Sequence, residues 1–265
     1  MASQFDNIIE SIISSTPSGE IQHVYKDLKL IAGQQSEDTI LDAIAKFNVS
    51  NFIPIDVDGK SVIISPYNKE GSKFFDPESS TMFSVDHLNR KALDIEKCEK
   101  FLSDEERRLY VQLENYASKA FPGDLTYAVY SKGGESKEVI LTIVSTKYSP
   151  GNFWNGHWRS IYHYDLETHD LRGVIEVNIH YFEDGNVSFQ CKKEVQESAT
   201  SDAIVSIKQL DAKLEEEMGA SFAQMNDRDF KLLRRRLPVT RSKISWGKGI
   251  GTYRLGKDSA ENQFK

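Results

Sequence analysis

The stretch LRGVIEVNIHYFEDGNVSFQCKK, residues 171–193, decides the fold. Ile175, Val177, Ile179 and Tyr181 alternate with Glu176, Asn178 and His180, so an extended chain sends the apolar set to one face and the polar set to the other. Asp184-Gly185 is two-residue hairpin chemistry, and Val187, Phe189 and Cys191 resume the alternation beyond it. The expectation is an antiparallel pair of strands with one side buried, Leu171–Glu183 and Val187–Lys193.

Working upstream, Leu125–Tyr130, Val139–Ser145 and Phe153–Asp165 carry the same signal. The short connections among these five segments leave no room for crossover units, which need about a dozen residues, so they predict an antiparallel meander. Before them, Ser103-Asp-Glu-Glu106 is a capping box, with Leu109, Leu113, Tyr116, Ala117 and Ala120 on one helical face until Pro122-Gly123. Earlier still, Ile53, Ile55 and Val57 run into Asp58-Gly59 and out through Val62 and Ile64, a second hairpin; Lys73–Asp76 and Met82–Asp86 suggest a third. The first ~48 residues change period to that of a helix. Phe5, Ile8, Ile9, Ile12 and Ile13 form one apolar set, Ile21, Val24, Tyr25, Leu28 and Ile31 a second, and Ile40, Leu41, Ile44 and Phe47 a third. Three short helices with short loops predict an antiparallel bundle.

Downstream, Ile207, Leu210, Leu214, Met218, Phe222 and Met225 repeat at helical spacing, a stripe long enough to cover a sheet or to bridge two subunits. The fold class is therefore α+β: an N-terminal helical segment (1–48), a β-rich region with an inserted helix and a five-stranded antiparallel sheet (49–195), a long helix crossing that sheet (196–237), and a short basic amphipathic extension (238–265).

That extension carries the functional signal. From Arg228 to Lys257 ten Lys or Arg face one acid, Asp229, a charge of +9 in a chain whose net charge is −7, so the remainder carries −16. Leu233, Leu237, Val239, Ile244, Trp246, Ile250, Tyr253 and Leu255 interleave with the cations. Charge that steers and apolar anchors that lose water make a docking surface for an acidic partner. Helix-end complementarity accounts for one or two of Arg234, Arg235 and Arg236 ahead of Pro238, not for ten cations. Nucleic acid is a rival partner, since Trp246 and Tyr253 suit base stacking, but the acidic body opposes it.

Enzyme signatures are scarce: no P-loop, HExxH, GxSxG or calcium-loop pattern is present, and Gly247-Lys-Gly-Ile-Gly251 lacks the strand and helix that a dinucleotide loop requires. His157, His163 and His180 fall in or near strands, where residues on the sheet surface are the default reading over ligands. Cys98 and Cys191 have no metal or disulfide spacing, which fits a reducing, intracellular setting. The N-terminus has the pattern of neither a signal nor a transit peptide, and no segment approaches the ~20 apolar residues of a membrane span.

Three separated segments then identify a family resemblance. FWNGHWRS (153–160), VNIHYFEDGNV (177–187) and LRRRLPVTRSKI (233–244), in that order, resemble the alpha subunit of the F-actin capping protein, with Phe75-Asp-Pro77 and Asp86-His-Leu88 matching the family's middle region. WGKGIGTYRLG (246–256) is closer to fungal members. The resemblance implies a non-enzymatic protein without cofactor or metal. It implies an obligate heterodimer with a beta subunit, the two sheets joining into one, that binds the barbed end of the actin filament and blocks subunit gain and loss, calcium-independent and without severing. It places actin contacts on Lys231, Arg235 and Arg241, with Trp246, Ile250, Tyr253, Arg254 and Leu255 beside them, and allows phosphoinositides at Lys231 and Arg235. Cytoplasm and cortical actin patches are the implied location. The alternative function is a phosphoinositide- or nucleic-acid-binding module built on the same strip.

Overall fold

A computed structural model describes residues 4–17, 19–33, 36–132, 137–182, 187–199 and 202–229. The chain divides into two compact units, Met1–Gln209 and Leu210–Lys265.

The first unit opens with α1 (Gln4–Ser14), α2 (Ile21–Ala32) and α3 (Glu37–Ser50). Their shared core is Ile9, Ile13, Ile21, Leu28, Ile40, Ala43 and Ile44, with Val24, Tyr25 and Phe47 against it. The anticipated stripes are only partly buried. Phe5, Ile8 and Ile12 are exposed on α1, and Ile31 is 83% exposed at the end of α2, because a helical face spans more than its neighbours can cover. Lys29 and the Tyr25 hydroxyl both donate to Glu37 (2.7 and 2.6 Å), pinning α2 to the start of α3.

A six-stranded sheet follows, formed by β1 (Pro54–Val57), β2 (Lys60–Ile63), β3 (Lys69–Glu70), β4 (Lys73–Asp76), β5 (Thr81–Asp86) and β6 (Lys91–Lys97) in the order β2-β1-β6-β5-β4-β3. The β1–β2 hairpin turns through Asp58 and Gly59, both at positive φ, as the Asp-Gly pair anticipates. Strands β3 and β6 were not anticipated. The first has two residues, and the second is a charged, largely exposed segment in which no apolar alternation marks the period.

Helix α4 (Asp104–Ala120) begins with the expected capping box: the Ser103 hydroxyl accepts from the Glu106 N–H, and the Glu106 carboxylate accepts from the Ser103 N–H. Leu109, Leu113 and Ala117 are buried on it, whereas Ala120 is exposed. The meander comprises β7 (Asp124–Ser131), β8 (Glu138–Ser149), β9 (Trp154–Asp165), β10 (Leu171–Tyr181) and β11 (Val187–Glu197), in the order β11-β10-β9-β8-β7 with every neighbouring pair antiparallel. The Asp184-Gly185 turn lies outside the described residues.

One expectation needs correction. At the β7–β9 end this sheet is covered on both faces, not one. Ala128, Tyr130, Ile140 and Val144 share a core with Phe52 and Ile63 on one side. Tyr127 stacks against Tyr110 of α4 on the other, and Trp158 packs on Phe121. Val139–Thr146 is accordingly buried without interruption, a continuous apolar and small-polar run rather than an alternating one. Gly173 in β10 permits close strand contact: a Cβ there would sit 2.6 Å from the Ile161 carbonyl oxygen and the Tyr162 ring.

Helix α5 (Ala203–Gln224) is capped by Asp202, whose carboxylate accepts from the N–H groups of Ile204 and Val205. Ala203, Ile204 and Ile207 are buried in the first unit. In the second, Leu214 is buried, Leu210 and Met218 are half-buried, and Phe222 is 38% exposed. A π-turn, Met225–Asp229, follows.

Candidate docking site

Lys231, Arg235, Arg241, Trp246, Ile250, Tyr253, Arg254 and Leu255 all lie outside the described residues. Of the basic strip only its first members, Arg228 and Asp229, fall within them. What the structure does supply is the surface leading to it and the sheet edge beside which a partner strand could lie.

The two edges of the meander differ. Along β7, Thr126 hydrogen-bonds Ser61 of β2 (2.7 Å), the Tyr130 hydroxyl donates to the Ile63 carbonyl (3.1 Å), and α4 covers the outer face. Along β11, eleven residues pair with β10 on one side, and no strand pairs the other side among the described residues. Its residues are exposed or half-exposed throughout; Val187 is 42% exposed, with Tyr181 and Phe153 also exposed at the same corner. A long edge strand with no strand beside it is a template for another chain.

The motif at 153–160 proves to be structural. Phe153 takes a left-handed backbone conformation and stacks edge-on against Phe182. Asn155 donates to the Glu20 carboxylate (3.1 Å), and the Arg159 guanidinium reaches both the Ser50 carbonyl and Glu176. Alternate residues of one strand thus anchor the helical segment, while Trp158, Ser160, Tyr162 and Tyr164 fill the opposite interior.

The histidines separate by environment. Strand β9 is unbulged, so His157 and His163 share a face. His163 joins Glu138 through Nδ1 and the Tyr67 hydroxyl through Nε2 (3.1 Å). Burial pushes the Glu138 carboxyl up, but hydrogen bonds from Lys132, Arg172 and His163 outweigh it and hold the group at about 2. His157 corrects the surface reading: it is 6% exposed, its Nδ1 has no partner, and burial, with the Arg159 and Arg90 charges, lowers it to about 4. Neither the orphaned nitrogen nor its surroundings could be read locally, since its strand neighbours Thr146 and Asn178 are set by register. Among the described residues no group of His, Cys, Asp and Glu converges as a metal site, and no helix is long and apolar enough to cross a membrane.

Comparison with known proteins adds the following. The family model for the F-actin capping protein alpha subunit matches residues 9–258. The F-actin-capping protein subunit alpha of Candida glabrata is 51% identical over 263 residues, covering 99% of this chain and 100% of that one. The corresponding subunit of Saccharomyces cerevisiae is 51% identical over 266 residues, covering 99% of each, and that of Neurospora crassa is 37% identical, covering 95% of each. The structure of a homodimeric actin capping protein alpha subunit from Plasmodium berghei superposes with a TM-score of 0.69 at 23% identity, over 89% of this chain and 97% of that one, a likeness of fold.

Proposed function

This chain belongs to the F-actin capping protein alpha subunit family, and from that premise we propose that it is one half of a heterodimer that caps actin filaments at their barbed ends. The family match carries the reading, because it runs to residue 258 and so spans the whole basic strip from Arg228 to Lys257. The β11 edge, which no strand pairs on its outer side among the described residues, supports a beta subunit whose sheet continues this one. A buried joint of this kind makes folding depend on the partner.

Lys231, Arg235, Arg241 and Arg254 steer encounter with acidic actin, while Trp246, Ile250, Tyr253 and Leu255 anchor the complex by losing water. A cap needs slow dissociation more than fast arrival, so the anchors set residence time. Capping by this route needs no nucleotide, calcium or covalent step, and blocks addition and loss without severing. Phosphoinositides compete for Lys231 and Arg235, in a protein stationed in cytoplasmic cortical actin patches. The test is elongation of pyrene-labelled actin from barbed-end seeds with the chain co-expressed with its beta subunit. Substoichiometric arrest is expected. Unchanged elongation at saturating protein, with tight phosphoinositide binding retained, would transfer the strip to the lipid-binding reading.

A further inference from the structure

The polar end of the meander, on the face toward the helical segment, encloses a cavity of about 120 Å³. Three cross-strand neighbours form its floor: His157 pairs with Asn178, and Asn178 with Gln190. Ser188 lines it from β11, and Arg90 and Tyr148 line its side. Arg90 is the one formally charged residue of the lining, is half-buried, and makes no ion pair among the described residues. Its charge lies beside the Tyr148 hydroxyl, where it partly offsets the upward push of burial on that group. The turn that carries it is held rigid, as the Asp86 carboxylate accepts from the N–H groups of Leu88 and Asn89. Above the floor, the hydroxyls of Ser14, Ser15 and Thr16 fold back on carbonyls of α1 and satisfy that helix's negative end.

An arginine without a carboxylate lines this chamber, and beside it lies a histidine whose buried Nδ1 has no partner. Buried polar groups left unsatisfied call for an occupant, and the excess is positive. We propose that this cavity binds a small oxyanion of the phosphate class, held by the Arg90 guanidinium and the His157 imidazole, with Asn178, Ser188 and Gln190 donating around it. Arginine's planar fork matches two phosphate oxygens at once. An ordered water satisfies the imidazole equally well but leaves the guanidinium without a counter-ion. The site is independent of the basic strip and of the capping reading.

The test uses the full-length chain, in the assembly in which it purifies, labelled with 15N-histidine and titrated with inorganic phosphate and, separately, glycerol phosphate at constant ionic strength. The His157 imidazole signal, assigned by His157→Gln, is expected to shift saturably. Arg90→Asn should weaken binding by at least about tenfold without unfolding the protein, because Arg90 sits at positive φ, where asparagine is at ease. Arg90→Lys keeps the charge without the fork and should fall between. Tighter binding of the ester assigns the anion to a phosphorylated molecule; tighter binding of inorganic phosphate assigns it to the free ion. No His157 shift up to about 10 mM anion, or binding untouched by Arg90→Asn, overturns the proposal and leaves water as the occupant.

Discussion

The two edges of the five-stranded sheet are built from similar lengths of strand and meet opposite fates. Edge β7 is drawn into the interior by Ser61, Ile63 and α4, and its middle residues are buried. Edge β11 carries Lys192, Lys193, Glu194 and Glu197, keeps a rim of exposed Val187 and Tyr181, and has no strand on its outer side among the described residues. At β7 the chain itself covers both faces of the strand. At β11 the proposed cover is another molecule, so stability is expected to reside at the first edge and assembly at the second.

The sharpest way to break this comparison is at Val187. Val187→Asp places a charge on the open edge and is expected to abolish co-purification with the beta subunit, while secondary structure by circular dichroism survives in the chain that remains soluble. Retained heterodimer in sedimentation would show that β11 is not the assembly edge. On the closed side, Leu113→Ala empties a fully buried position of α4 and should cost about 2–5 kcal/mol, read as denaturant midpoint, while Val111→Ala on its exposed flank stays within about 0.5 kcal/mol. Equal losses would mean that α4 does not seal this edge.

Tyr130→Phe is subtler. It strips the Ile63 carbonyl of the hydroxyl that reaches it across the two sheets and should lower stability by about 1 kcal/mol with assembly unchanged. The smallest effect is the response to pH. His157 is lowered to about 4 in the folded protein, so the unfolded chain takes up its proton first, and stability falls as pH drops from about 6.5 to 4. Glu138, held at about 2, stabilises fully above its ordinary 4.5 and loses that contribution as pH falls toward 2. His157→Gln should flatten the upper window and Glu138→Gln the lower, in denaturation followed across pH.

Where a feature rested on neighbouring letters, it was legible. Asp58-Gly59 announced a hairpin and Ser103 with Glu106 a helix start, because the atoms that make the turn or cap lie within three residues. The meander and the stripe of α5 were legible as periods. Features made by distant partners were not. Nothing in the sequence near His157 specifies Arg90, which arrives from a turn 67 positions earlier, and nothing near Lys91–Lys97 reveals that it lies between β1 and β5. Exposed Ile31 misleads in the same way, since a stripe records an apolar surface and not what covers it. The proposed docking residues rest on charge and family letters alone and lie outside the described residues.

The order of strands in the meander has a consequence in time. Each of β8 through β11 pairs with the strand made just before it, so the sheet can lengthen hairpin by hairpin as the chain leaves the ribosome, without waiting for any distant segment. At each stage the newest strand is the open edge, and the next strand closes it within a few residues of synthesis. After β11 the chain turns into α5 and no sixth strand follows among the described residues. If the beta subunit closes that last edge as proposed, the step passes from the ribosome's timetable to the concentration of a second polypeptide.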